Sequence, residues 1–95
     1  MTSPHAKAVL FVCEYLTGSG HTVISANTDE QYDPQIFSQS ETGELAFYFV
    51  RENQPAPTPA DRDRFLALTA KHDVAAYYAA VKQGNPAPSV TVSSL

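Results

Sequence analysis

The chain has 95 residues, of which 43% are hydrophobic and 17% are charged, and its formal net charge is −4. This length fits one domain with a single core, and the hydrophobic content excludes a disordered chain. The acidic balance disfavours a nucleic-acid partner, because nucleic-acid binders usually carry a clustered basic surplus.

Cysteine content and hydropathy predict a cytoplasmic protein. The one cysteine, Cys13, lies in an apolar run and cannot form an internal disulfide, which is typical of a reducing compartment. No apolar run is long enough to cross a membrane, and the N-terminus does not have the pattern of a secretory signal. The charged fraction is below the usual share of about a quarter, which favours a homodimer.

The first predicted element is a helix. Ser3 and Pro4 form a typical helix start, with Ser as the N-cap and Pro in the first helical position. The helical spacing of apolar residues continues to residue 16, and a glycine in residues 17–20 is expected to end the helix. One face is marked by Ala6, Val9, Leu10, Cys13 and Leu16.

Three strands are predicted next. The β-branched run 21–26 predicts the first strand, and residues 34–40 predict the second. Thr42-Gly43 then marks a hairpin turn. Six of the eight residues from 44 to 51 are apolar or aromatic. We therefore predict that Leu45 to Val50 forms the central strand, buried on both faces.

The last third of the chain predicts a helix followed by a strand. Thr58 caps the second helix, with Pro59 first and Asp61 three residues after the cap. Residues 74–82 are ambiguous, because their alanines favour a helix whereas the Val/Tyr pattern favours a strand. We predict a strand here. The whole chain is expected to be one domain, 1–95, with flexible or edge segments at 1–4 and 85–95.

The predicted order helix, strand, strand, strand, helix, strand resembles the restriction endonuclease-like fold, the PD-(D/E)XK nuclease superfamily. The resemblance covers residues 5–82 and implies an α/β fold with two helices and a mixed four-stranded sheet. Two local similarities accompany it. Pro34-Gln35-Ile36-Phe37 stands where the family has Pro-Asp followed by apolar residues, and Phe49-Val50-Arg51 stands where it has Glu-x-Lys.

The resemblance implies a degenerate active site. In the family, the two carboxylates hold Mg²⁺, which activates water for phosphodiester hydrolysis. Here the neutral Gln35 and the apolar Phe49 replace them, and Arg51 keeps the charge of the Lys but cannot act as a base. We therefore expect a non-catalytic interaction module without a cofactor, which forms a homodimer and binds a protein partner that the sequence does not identify.

Two alternatives stay open. One is a Mg²⁺-dependent nuclease with a displaced site, in which Glu14, Asp33 and Arg51 would be catalytic and Glu14 and Asp33 would hold the metal. The other is a small-molecule or regulatory binding domain. Each candidate also has an ordinary structural role: Glu14 on the solvent side of a helix, Asp33 capping the turn before Pro34, and Arg51 as a charge at a strand end, paired with Glu52 or Asp33.

Overall fold

The computed structural model describes residues 3–29, 32–84 and 87–95. These residues form two helices and five strands in an α/β arrangement. The elements in chain order are α1 (Pro4–Gly18), β1 (Thr22–Ala26), β2 (Ile36–Gln39), β3 (Leu45–Glu52), α2 (Pro59–His72), β4 (Ala75–Lys82) and β5 (Ser89–Ser94).

The five strands form one mixed sheet in the order β1-β2-β3-β4-β5. The β3–β4 pair is parallel, and the other three pairs are antiparallel. A parallel pair requires a crossover connection, and α2 provides it. The strand predicted at residues 74–82 is confirmed, because Ala75–Lys82 is a strand whose residues 75–81 pair with β3.

Helix α1 begins and ends as its sequence predicts. The Ser3 hydroxyl accepts a hydrogen bond from the Ala6 N–H at 3.0 Å. At the other end, Gly20 has a φ of 88°, and the His21 N–H donates to the Leu16 carbonyl at 2.9 Å. This hydrogen bond and the left-handed glycine form a Schellman-type end, in which glycine avoids the steric cost that a Cβ would add.

Helix α2 also has the predicted cap. The Thr58 hydroxyl accepts a hydrogen bond from the Asp61 N–H at 3.2 Å. The helix ends at Asp73, whose φ of 53° is left-handed. Only Val74 separates this residue from β4, so the helix-to-strand connection is short.

The central strand β3 separates two apolar cores. Alternate side chains of β3 point to opposite faces of the sheet. Tyr48 and Val50 pack on the face covered by α1, whereas Phe47 and Phe49 pack on the face covered by α2. The prediction of burial on both faces is therefore confirmed for Ala46 to Val50 but is wrong for Leu45, which lies at the start of the strand and is exposed.

The core on the α2 face is aromatic. It contains Phe47, Phe49, Phe65 and Tyr78, and the rings of Phe49 and Phe65 stack with centroids 4.0 Å apart. Tyr78 lies on this face, whereas its neighbour Tyr77 packs against the α1 core, as expected for consecutive residues of a strand.

The sheet differs from expectation in two respects. It has five strands rather than four, because Ser89–Ser94 pairs with β4 and forms an edge strand. The second strand begins at Ile36 rather than Pro34. At Gln35, the side-chain oxygen and not the backbone carbonyl accepts the hydrogen bond from the Val50 N–H of β3.

The expected flexible segments include residues 1, 2, 85 and 86, which lie outside the described residues. Within the described ranges, neither helix has the length and apolar character needed to cross a membrane.

We expect Phe49→Ala to lower the free energy of unfolding by about 3–5 kcal/mol, because the fully buried ring leaves a cavity between β3 and α2. Leu45→Ala, in the same strand but 39% exposed, should cost about 1 kcal/mol or less. Urea unfolding followed by circular dichroism measures both. Equal losses for the two variants would contradict the central placement of Phe49.

Candidate functional site

Asp33, Gln35 and Arg51 come together where β2 begins and β3 ends. The antiparallel register of these strands ends with Ile36 opposite Tyr48; beyond it the Gln35 side chain bonds to the Val50 N–H, and the Asp33 carboxylate contacts Arg51. These contacts place the side chains of Gln35 and Asp33 beside the last residues of β3.

Gln35 is buried, with 1% of its surface exposed, and its side-chain amide is fully hydrogen-bonded. The Oε1 atom accepts from the Val50 N–H at 2.8 Å and from Arg51 Nη1 at 3.4 Å. The Nε2 atom donates to the Tyr32 carbonyl and to Asp33 Oδ1, both at 2.6 Å. Two donor and two acceptor positions are thus used, which is the whole capacity of a glutamine amide.

Asp33 is held by two arginines. Arg51 contacts both carboxylate oxygens, each at 3.3 Å, and Arg64 Nη2 lies 3.1 Å from Oδ2. The Oδ1 atom also accepts the hydrogen bond from Gln35. Because a carboxylate offers about four lone-pair sites, these contacts leave little capacity for another ligand.

Arg64 links this cluster to the start of α2. Its Nη2 atom also lies 3.1 Å from Asp61 Oδ1, within the first turns of the helix. The two aspartates and two arginines therefore cancel in formal charge. Sequence reasoning did not assign Arg64 to the site; the three-residue spacing from Asp61 shows that they share a helix face but does not show that the face meets Asp33.

An aromatic ring supports both guanidinium groups. The Cζ atoms of Arg51 and Arg64 lie 5.2 and 5.4 Å from the centroid of Phe65, within range of a cation–π contact. Phe65 stacks in turn on Phe49. The Phe49 ring thus belongs to the apolar support of the cluster.

Glu14, the third candidate, does not join Asp33 and Arg51. It is exposed on α1, whose buried residues pack on the opposite face of the sheet from Phe49. Its neighbour Cys13 is partly buried, and burial, followed by the Glu14 charge, raises the pKa of the Cys13 thiol. A thiol with a raised pKa is a poor nucleophile near neutral pH.

The donor set at Asp33 does not fit Mg²⁺. This ion needs nearly octahedral oxygen coordination and dehydrates reluctantly, whereas Asp33 already faces two guanidinium groups. Within ranges 3–29, 32–84 and 87–95, no three His, Cys, Asp or Glu side chains are grouped to hold a metal. The adjacent surface pocket, of about 430 Å³, is lined by Asp33, Arg64 and Lys71, so the two cationic side chains outnumber the one carboxylate and disfavour a bound cation.

No protein family model matches the sequence, and comparison with curated proteins finds no significant match.

We expect Asp33→Asn to destabilise the fold by about 1–3 kcal/mol, because it leaves the mostly buried Arg51 guanidinium without its counter-charge. The matched control is Asp61→Asn, which removes only the exposed pair with Arg64 and should cost less than about 1 kcal/mol. Thermal unfolding of the two variants compares them. A loss for Asp33→Asn no larger than that for Asp61→Asn would contradict a structural role for Asp33.

Cys13 should react slowly with a thiol reagent in the folded protein. At pH 8, the raised pKa lowers the thiolate fraction, so alkylation is expected to be slower than in urea-unfolded protein. Glu14→Gln removes the nearby negative charge and should accelerate the reaction of folded protein modestly. A folded-state rate above the unfolded-state rate would contradict the inert assignment of Cys13.

Proposed function

We propose that this chain is a restriction endonuclease-like domain in which a structural polar cluster replaces the metal site, and that it acts as a non-catalytic interaction module in a homodimer. The observation that carries the proposal is the buried Gln35. Its amide uses all of its hydrogen-bonding capacity within the fold, at the position where the family has a metal-binding Asp.

The element order supports the family part of the proposal. Helix, three antiparallel strands, crossover helix and parallel strand follow one another as the resemblance implies, with β5 added at the edge. The contacts at the end of β3 add to this support, because the Gln35 side chain bonds to the N–H of Val50, the residue next to Phe49. These observations concern the fold, and fold alone does not establish activity.

The side-chain chemistry supports the non-catalytic part. Metal-dependent phosphodiester hydrolysis needs carboxylates that converge on the ion that activates the water. Gln35 contributes no charge, and Phe49 is buried against Phe65. The nearby carboxylate, Asp33, is paired with Arg51 and Arg64, so its charge stabilises the protein rather than a bound metal.

The displaced-site nuclease has weaker support. That alternative requires Glu14 and Asp33 to approach the same ion, but the two residues lie on opposite faces of the sheet. Recruiting Asp33 would also require its two arginine contacts to break. The free energy lost with these two ion pairs would have to be offset by metal binding through the Asp33 carboxylate alone.

The homodimer is supported by the surface. Several large apolar side chains are exposed, and the low charged fraction leaves few charges to separate two copies. The exposed residues are Leu10, Tyr15, Ile24, Tyr32 and Leu45. An open five-stranded sheet also has two edges at which another strand can pair.

We expect the purified protein to leave plasmid DNA, single-stranded DNA and RNA intact after overnight incubation with Mg²⁺ or Mn²⁺. The expectation follows from the occupied oxygens of Asp33 and from the net charge of −4, which opposes the approach of a polyanion. Gel electrophoresis of the incubated substrates is the measurement.

The control for this experiment is Asp33→Asn, checked by circular dichroism to be folded at the assay temperature. Contaminating nuclease activity would be the same in wild type and variant preparations. Metal-dependent cleavage by the wild type that disappears in the variant would overturn the non-catalytic proposal and favour the displaced site.

A further inference from the structure

We infer that β5 is the surface through which two copies of this chain associate, by antiparallel pairing of β5 with β5 of the second copy about a two-fold axis at Val92. The inference rests on the homodimer proposed above and assigns its interface and register to the open sheet edge, not to the exposed apolar side chains of α1 and β1. Within the described residues, β5 is at the end of the sheet, with β4 on its inner side.

The hydrogen bonds to β4 determine which groups of β5 face outward. The Leu95 N–H donates to the Ala76 carbonyl at 3.0 Å, which continues the β4–β5 register by one residue. In an antiparallel pair, successive residues alternate between facing the partner strand and facing away from it. The backbone N–H and C=O groups of Val90, Val92 and Ser94 therefore point toward the outer edge.

This outer edge lacks the features that commonly prevent strand pairing. The six residues of β5, Ser-Val-Thr-Val-Ser-Ser, include no charge and no proline. The opposite edge differs, because the register of β1 shifts between Val23 and Ser25. Bulges and charges protect edge strands, so the unprotected edge is the one at β5.

One register satisfies all the outward groups. With Val92 opposite its own copy, Val90 lies opposite the second Ser94, and residues 89–95 pair throughout. Three hydrogen-bonded pairs then form, with about six hydrogen bonds in total. Moving the axis to Thr91 would put Ser94 opposite Pro88, whose missing N–H would leave the outward Ser94 carbonyl without a donor.

The side chains fit the same register. Val90 and Val92 already pack against the core on the α1 face, so Val92 beside its copy would continue that apolar layer across the junction. On the other face, Thr91 lies opposite the second Ser93, and both are exposed in one copy. Such pairs of small hydroxyl side chains are favourable across strands, and no like charges meet.

The pattern favours a second copy over an unrelated strand. A two-fold axis at Val92 pairs Thr91 with the second Ser93 on one face and Val92 with its own copy on the other, and it uses the whole length of β5 without a gap. A strand of different sequence would have no such built-in register.

The first test is sedimentation at micromolar concentration with Ser94→Pro and its matched control Ser94→Ala. Both variants remove the exposed hydroxyl, but only proline removes the outward N–H, and it leaves the hydrogen bonds to β4 in place. We expect a dimer for the wild type and for Ser94→Ala, and a dimer dissociation constant at least about tenfold higher for Ser94→Pro.

The second test measures the register by disulfide formation in a Cys13→Ala background. Thr91→Cys protein mixed with Ser93→Cys protein should form a covalent heterodimer on oxidation, faster than either variant alone. A wild type that is monomeric at all concentrations would overturn both the homodimer and this interface. A dimer unaffected by Ser94→Pro, or one without the preferred crosslink, would overturn the interface alone, and the cleavage assay would still test the non-catalytic role.

Discussion

The structure depends on β3, which is hydrogen-bonded to a strand on each side and covered on each face by a helix. A strand in this position must present apolar side chains in both directions, and the run from Ala46 to Val50 does so. These side chains give each helix an apolar surface to cover: α1 packs over Tyr48 and Val50, and α2 packs over Phe47 and Phe49. Loss of a large side chain from β3 would therefore weaken the packing between the sheet and the helix that covers that face.

The end of β3 explains the character of the candidate site. The Gln35 amide bonds to the Val50 N–H, and this satisfies a backbone donor that would otherwise be buried without a partner. The same amide positions Asp33, which pairs with Arg51 and Arg64. A polar network that is complete in itself supports the junction of β2, β3 and α2, and such networks are costly to disturb.

Much of the fold could be predicted from local patterns. Both helix caps, the glycine after α1 and the central strand were predicted, because each depends on residues close together in the sequence. Residues 74–82 were harder, since alanine favours a helix; pairing with β3 and burial of Tyr78 on the far side of the sheet from Tyr77 outweigh that preference. The fifth strand also depended on a partner distant in sequence.

The sequence by itself determined the start of each helix, the end of α1, the double-sided burial of β3 and the absence of carboxylates at positions 35 and 49. These are properties of residue identity and short spacing. Only the tertiary structure decided that Arg64 reaches Asp33 across 31 residues and that Glu14 lies on the opposite face. Contacts of this kind depend on how α2 packs on the sheet, and packing depends on the whole chain rather than on any one segment.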